Sequence, residues 1–355
     1  MKNEMTHRER ILAAVLHQPT DRVPTDYWGV PEITDKLMRS LGVTDMTGLA
    51  QALDIDMIMH AEPALKRDCG RSNMFDIQMR QIPVHNGVGY YEEPVAHPIA
   101  KFETIDEIEA GYVWPTTDLY DYSGIKSQCE KLRREGFAIQ GGYISLTYFY
   151  EMVRGTEQML LDFALDEALS DYILFKLNEF ASAHTRRILE EADGYIDLSQ
   201  VTDDFGSQNS LMISETMIER YLGSYYEANV ALVKSFDARV FHHDDGAISD
   251  VIPWIIDKGC EILNPIQWHL PGWNLDELKR RYGSQLCFHG GIDNQDILPF
   301  RGKEAVEEEV RTCIDKLYSD RTGYILAPCH NIQAITPLEN VFTMYQYAKE
   351  YSSRT

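Results

Sequence analysis

The run Ala238-Arg-Val-Phe-His-His-Asp-Asp-Gly-Ala247 is an apolar strand that ends in four titratable side chains and closes on a glycine able to turn sharply. A strand does not normally finish in so much polarity unless its last residues line a cavity. The same grammar returns in Cys260-Glu-Ile-Leu-Asn-Pro-Ile-Gln267, Leu286-Cys-Phe-His-Gly-Gly-Ile-Asp293 and Tyr324-Ile-Leu-Ala-Pro-Cys-His330. Each is a short apolar run ending in His, Cys, Asp, Asn or Gln. The repetition points to a pocket built where several strands finish.

Outward from that run, strand-like segments at 23–28, 54–60, 137–143, 194–200, 238–243, 260–264, 286–290 and 323–328 alternate with helical periodicity. Alternation of this kind predicts a parallel sheet, and eight repeats in one chain favour an α/β fold of the (β/α)8 TIM barrel type. An open doubly wound sheet would want a glycine-rich phosphate loop after an early strand, and neither GxGxxG nor a Walker sequence is present. No Pro/Ser/Gly-rich linker divides residues 1–355, which read as a single domain. Thr6 and Glu9 form a capping box opening an N-terminal helical extension, with Ile11, Leu12, Val15 and Leu16 on one face. Asp166 is placed to cap a helix within 156–192. The glycines of 64–102, around Val84-His-Asn-Gly-Val-Gly-Tyr-Tyr-Glu92, predict an inserted hairpin excursion.

The 355 residues are 44% hydrophobic and 25% charged, the composition of a soluble globular protein with a sizeable core. A net charge of −23 argues against nucleic acid as a partner and disfavours anionic membranes. No apolar run reaches the length of a transmembrane helix, and the first ten residues lack a secretory h-region, so cytoplasmic residence is expected. The six cysteines are scattered and read as reduced thiols. Cys260 and Cys287 fit strand packing, whereas Cys329 stands at a strand end.

In a barrel the strand C-termini converge, and residues distant in sequence meet there. The candidates are Trp28, His60, Tyr143, Asp203, Asp204, Gln208, His243, Asp245, Asn264, Gln267, His289, Asp293, Cys329 and His330, of which alternation sends about half inward. For His243, Asp245 and Cys329 two readings stand: a zinc site built from imidazole, carboxylate and thiolate, or a hydrogen-bonded His–Asp pair beside an unrelated thiol. Alternation turns one of His242 and His243 away from the interior. Of Asp203 and Asp204, one suits a general base or substrate anchor and the other a cap for the next helix.

These strand-end segments together resemble the uroporphyrinogen decarboxylase superfamily. The resemblance runs from Asp21-Arg-Val-Pro24 to the final helix. It is most specific in Asp203-Asp-Phe-Gly-Ser-Gln208, His242-His-Asp-Asp-Gly246, Ile262-Leu-Asn-Pro-Ile-Gln267, Phe288-His-Gly-Gly-Ile-Asp293 and Ile325-Leu-Ala-Pro-Cys-His-Asn-Ile-Gln333. It implies one (β/α)8 barrel with its pocket at the strand C-termini. True decarboxylases grip substrate carboxylates with an arginine-rich N-terminal segment, and Val23-Pro-Thr-Asp-Tyr-Trp-Gly29 has no such arginines. The other branch, the corrinoid-dependent methyltransferases, binds zinc through a His-x-Cys pair and a distant C-terminal Cys. His243 falls on the family's His and Cys329 on that C-terminal Cys, while Asp245 stands where thiol-methylating members carry the first Cys.

The resemblance therefore implies zinc held by His243, Asp245 and Cys329. Together with the strand-end reading it makes Asp204 and His243 the expected catalytic residues, and that reading gives Trp28, Tyr143, Gln208, Asn264, Gln267, His289, Asp293 and His330 as the expected substrate contacts. The implied activity is demethylation of a small O- or N-methylated compound, with cobalamin carried by a separate corrinoid protein; a homodimer is allowed. Two alternatives stay open: a metal-independent decarboxylase or lyase working through Asp204 and His243, and a non-catalytic barrel that binds a tetrapyrrole or corrinoid.

Overall fold

Parallel strands need long crossovers, and in the computed structural model, which describes residues 4–353, helices supply most of them. Seven strands make one sheet: β1 (Met59–His60), β2 (Ile139–Ser145), β3 (Leu198–Thr202), β4 (Arg239–His243), β5 (Ile262–Asn264), β6 (Cys287–Ile292) and β7 (Tyr324–Pro328). They lie side by side in chain order, and every neighbouring pair is parallel. β3, β5, β6 and β7 are buried along their whole length, as strands covered on both faces must be.

Regular pairing stops at seven strands, where eight were expected. Segment 23–28 forms no strand; it touches β7 through a single parallel bridge, Thr25 to Leu326, and the Asp26 N–H donates to the Leu326 carbonyl at 2.9 Å. On its other side the Thr25 carbonyl accepts from the Asp56 and Met57 amides at 3.1 and 3.0 Å. The strand expected over 54–60 shrinks to Met59–His60 for a local reason. Asp54 caps the preceding helix in the left-handed region, and Met57 also has a positive φ of 31°. Between them the buried Asp56 carboxylate accepts from Arg10, Arg22 and the Thr25 amide.

Helix α1 (His7–Val15) opens with both bonds of the expected capping box. Its Ile11, Ala14 and Val15 pack into one buried cluster with Ile58, Ala138, Leu198, Phe241, Ile262, Cys287 and Ile325. Every strand of the sheet, or the residue just before it, thus sends an apolar side chain to a common centre. Burying each large aliphatic group there contributes about 1.5–3 kcal/mol. The cluster occupies the early part of the strands and leaves their C-terminal ends for polar residues.

The expected hairpin is present as Met79–Val84 paired with Gly89–Pro94. It leans on the sheet's C-terminal side, where the Gln333 carboxamide donates to the Tyr91 hydroxyl at 2.7 Å. Asp166 caps helix Glu167–Glu191 by accepting from the Leu169 amide. All six cysteines are free, with Cys260 and Cys287 buried in the core. Among the described residues no helix is long and apolar enough to cross a membrane.

Candidate functional site

β4 ends at His243, and the following loop folds back under tight constraint. Gly246 has a φ of 104°, and a Cβ there would sit 2.6 Å from the Ser207 carbonyl oxygen, so only glycine fits. Alternation sorts the four titratable residues into two pairs. His242 is fully buried, bonded to the Tyr226 hydroxyl at 2.9 Å, and burial pulls its pKa down to about 3. Asp244, equally buried, accepts from the Phe205 and Gly206 amides, and burial pushes its carboxyl well above the usual range. That pair ties the wall together. His243 and Asp245 face the other way, with the His243 amide donating to Thr202 Oγ1 at 2.7 Å.

The partner that meets them is His330. His243, Asp245 and His330 each present a ligand atom, all within 4.8 Å of one another. Asp245 Oδ2 lies 3.8 Å from His243 Nε2 and 3.7 Å from His330 Nε2. Ligands of a tetrahedral zinc with bonds near 2.0–2.2 Å stand about 3.3–3.6 Å apart, so the two Asp245 edges are close to that spacing, while the two imidazoles, within 4.8 Å, have further to draw in. The thiol expected as third ligand is not in this group. Cys329 is buried, its Sγ directed to the Ile266 carbonyl at 3.4 Å, and burial holds the thiol well above its ordinary pKa. Cys329 is locked by its amide onto the Ile292 carbonyl, and the next residue carries its ring to the mouth instead. The trio also suits a cation on its own chemistry. Asp245 Oδ1 is buried without a hydrogen-bond partner, a costly state for a carboxylate unless a positive charge faces it.

A hydrogen-bonded relay stands behind His243. Asn264, at the end of β5, places its Oδ1 at 2.5 Å from His243 Nδ1 and its Nδ2 at 2.7 Å from His289 Nδ1. His289 Nε2 in turn meets Asp26 Oδ2 at 2.9 Å. Only one set of protons satisfies this chain. Asn264 accepts from His243 Nδ1–H and donates to an unprotonated His289 Nδ1, whose Nε2–H donates to Asp26. His243 Nε2 is then a bare lone pair aimed at Asp245 and His330, as a metal ligand requires. Trp28 packs over this group, its ring 5.4 Å from His243 and 6.3 Å from His330, and its Nε1–H donates to Asp26 Oδ2.

The two acids after β3 divide as alternation requires. Asp203 is buried and accepts from Ser145 Oγ and from the amide and hydroxyl of Thr147, so it braces the first turn of the preceding helix, Leu146–Arg154, whereas the next helix, Glu215–Lys234, is capped by Ser214 and not by either acid. Burial raises its pKa to about 7. Asp204 is half-buried beside the trio, accepting from the Asp245 amide at 3.2 Å. Burial raises its pKa, Asp245 adds to this, and His243 and His330 oppose it. Burial likewise lifts the neighbouring Glu151 to about 7, with Asp204 adding to it.

One cavity adjoins the trio and a second lies further along the strands, between β2 and β3. The first, of 410 Å³, is lined by Asp245, His330, Gln208, Gln267 and Asn294, with His85 and Tyr91 of the hairpin on its outer side. The other, of 290 Å³, contains Tyr143. Asp293 serves its own turn, accepting from the Gln295 and Asp296 amides, and lines neither cavity. Asn264 and His289 act through His243 rather than lining either cavity. Sequence reasoning missed Asp26, Asn294, Glu151, Gln140 and Gln200. Only Asp26 carried a signal, as an acid two residues before the candidate Trp28.

Residues 123–351 match the model of the uroporphyrinogen decarboxylase (URO-D) family, and the chain belongs to that family. No curated protein matches it in sequence. Among solved structures, a methyltransferase from Methanosarcina mazei is similar with a TM-score of 0.71 and 17% identity, over 98% of this chain and 99% of that one. A B12-independent methionine synthase from Shewanella sp. W3-18-1, in complex with selenomethionine, gives a TM-score of 0.49 and 11% identity over 94% and 97% of the respective chains.

Proposed function

We propose that this chain is a methyltransferase that removes a methyl group from a small O- or N-methylated compound and passes it to the corrinoid of a separate protein, with zinc held by His243, Asp245 and His330. The observation that carries the reading is the convergence of these three side chains, with one buried carboxylate oxygen unpartnered. The M. mazei methyltransferase, alike in fold over nearly the whole chain, supports the choice of branch. As part of the same reading, the sheet is a closed ring of one domain, with segment 23–29 spanning the gap between β7 and β1 through the Thr25 bonds.

Zinc, when bound, supplies a Lewis-acid centre for the heteroatom that bears the methyl group, and a set of two neutral imidazoles and one carboxylate leaves it more electrophilic than thiolates would. The chain's own residues do the rest. Asn264, His289 and Asp26 hold His243 in the required tautomer. Trp28 screens the imidazoles from water. Asp204, its proton affinity raised by burial, delivers a proton to the heteroatom as the methyl group leaves. Neither cavity is lined by a lysine or arginine, which disfavours a polycarboxylate substrate and with it the decarboxylase alternative.

The test is to mix the zinc-loaded protein with cob(I)alamin and a panel of methyl ethers and methylamines. Conversion to methylcobalamin is expected with wild type and lost in His243→Ala and Asp204→Ala. No conversion with any donor, or equal conversion by His243→Ala, would refute the proposal.

A further inference from the structure

The cavity of 290 Å³ is built around a break in β2. The β2–β3 register shifts between Gln140 and Tyr143, and the intervening Gly142 has a φ of 84°. A Cβ at Gly142 would meet Thr185 Cγ2 at 2.6 Å and Ser199 Oγ at 2.7 Å, so the bulge admits glycine alone. Bulges of this kind re-aim neighbouring side chains next to active sites. Here the cavity beside the bulge is walled by Tyr120, Tyr143, Phe149 and Phe180 and receives Gln140 and Gln200.

Those two carboxamides are the informative groups. Gln140 is 4% exposed and Gln200 7%, and neither carboxamide hydrogen-bonds to a described protein group; both line the cavity, and their amide atoms are not among the fully buried ones. A carboxamide that the protein leaves unpartnered at a cavity takes its hydrogen bonds from water or a ligand there. Each amide offers two N–H donors and a carbonyl acceptor without net charge. No lysine or arginine lines the cavity, and burial pulls His184 down to about 4, so it is neutral at physiological pH. The single carboxylate, Glu62, is exposed. The remaining lining imidazole, His60, is exposed at the cavity's edge, so an anionic ligand would find no fixed cation here, whereas aromatic walls around a small volume suit one planar ring.

We propose that this cavity binds an uncharged, planar, single-ring molecule whose polar edge carries both a donor and an acceptor, read by Gln140 and Gln200. Tyr143 stands opposite Gln200 in the β2–β3 register, and Asp204 follows four residues later where the same strand runs out beside the trio, so the cavity and the proposed zinc side share one strand end. The recess therefore names the substrate class of the proposed methyl transfer, a step that rests on that reading; the binding itself does not.

Benzamide and its charged isostere benzoate make the test, titrated calorimetrically into chelator-treated protein so that the result is independent of methyl transfer. Wild type should bind benzamide and reject benzoate by at least about tenfold, and Gln140→Leu/Gln200→Leu should lose about tenfold or more of the benzamide affinity. In unmutated protein, the side-chain amide NMR signals of Gln140 and Gln200 should shift on adding benzamide, a readout that holds even where the double variant fails to fold. Equal binding of the two probes, no benzamide binding at millimolar concentration, unshifted amide signals, or a folded double variant with full affinity would each overturn the proposal.

Discussion

Asn264→Leu removes the centre of the relay behind His243 while leaving all three proposed metal ligands in place. Leucine is close to asparagine in size but can neither accept from His243 Nδ1–H nor donate to His289 Nδ1, at present 2.5 and 2.7 Å away. Two ring nitrogens lose their partners, and each unsatisfied buried group costs about 1–3 kcal/mol. Partners that orient a metal-bound histidine typically contribute a factor of about 10–100 in affinity, or about 1.4–2.8 kcal/mol. Zinc affinity, measured by competition with a chromophoric chelator near neutral pH, should fall within that range, and urea unfolding of the metal-free protein should show a separate loss of about 2–6 kcal/mol. Asn264→Asp divides the effect. Its carboxylate still accepts from His243, but its second oxygen, unlike the amide it replaces, has no proton to give His289 Nδ1. That variant should keep most of the zinc affinity by the same chelator competition while losing part of the stability in urea. If Asn264→Leu binds zinc as tightly as wild type while His243→Ala does not bind it, the relay has no part in orienting the ligand.

Other consequences concern stability. Asp203 has a pKa raised by burial from 3.8 to about 7, so between these values the folded chain keeps a proton that the unfolded chain has lost. Its contribution to stability is therefore greatest below about pH 4 and is lost as pH rises to about 7, a swing on the order of 4 kcal/mol. Asp203→Asn, which keeps an acceptor for Ser145 and Thr147, should flatten that part of the melting-temperature profile; an unchanged slope from pH 4 to 7 would contradict the assignment. Asp56→Ala leaves Arg10 and Arg22 facing no carboxylate at that buried position and should cost about 3–5 kcal/mol in urea unfolding. A loss below 1 kcal/mol would show that the network is solvated.

The parallel sheet was readable because its strands repeat one pattern, apolar runs ending in polar residues, and such a pattern survives without any knowledge of contacts. Alternation pairs position 243 with 245, and the family resemblance selects that pair over 242 and 244. The third member did not, because Cys329 and His330 are neighbours at a strand end and the choice depends on which backbone bond fixes the chain there, a bond to Ile292 that no local pattern reveals. The relay was hidden for a related reason. Asp26 reaches His289 across the sheet from a segment too irregular to form a strand. Gln140 and Gln200 read as ordinary strand residues, since an unpartnered carboxamide is a property of the packed protein and not of its sequence. Segment 54–60 reads as a strand by its apolar content, but the ion pairs of Asp56 and the left-handed backbone at Asp54 and Met57 delay the strand to Met59.

The central claim is that His330, and not Cys329, completes the metal site. Elemental analysis of the wild type beside His330→Ala and Cys329→Ala, purified identically with added zinc, addresses it directly. The account predicts about one zinc per chain in wild type and in Cys329→Ala, as expected of a single three-ligand site, with little or none in His330→Ala. Zinc retained by His330→Ala but lost from Cys329→Ala would contradict it.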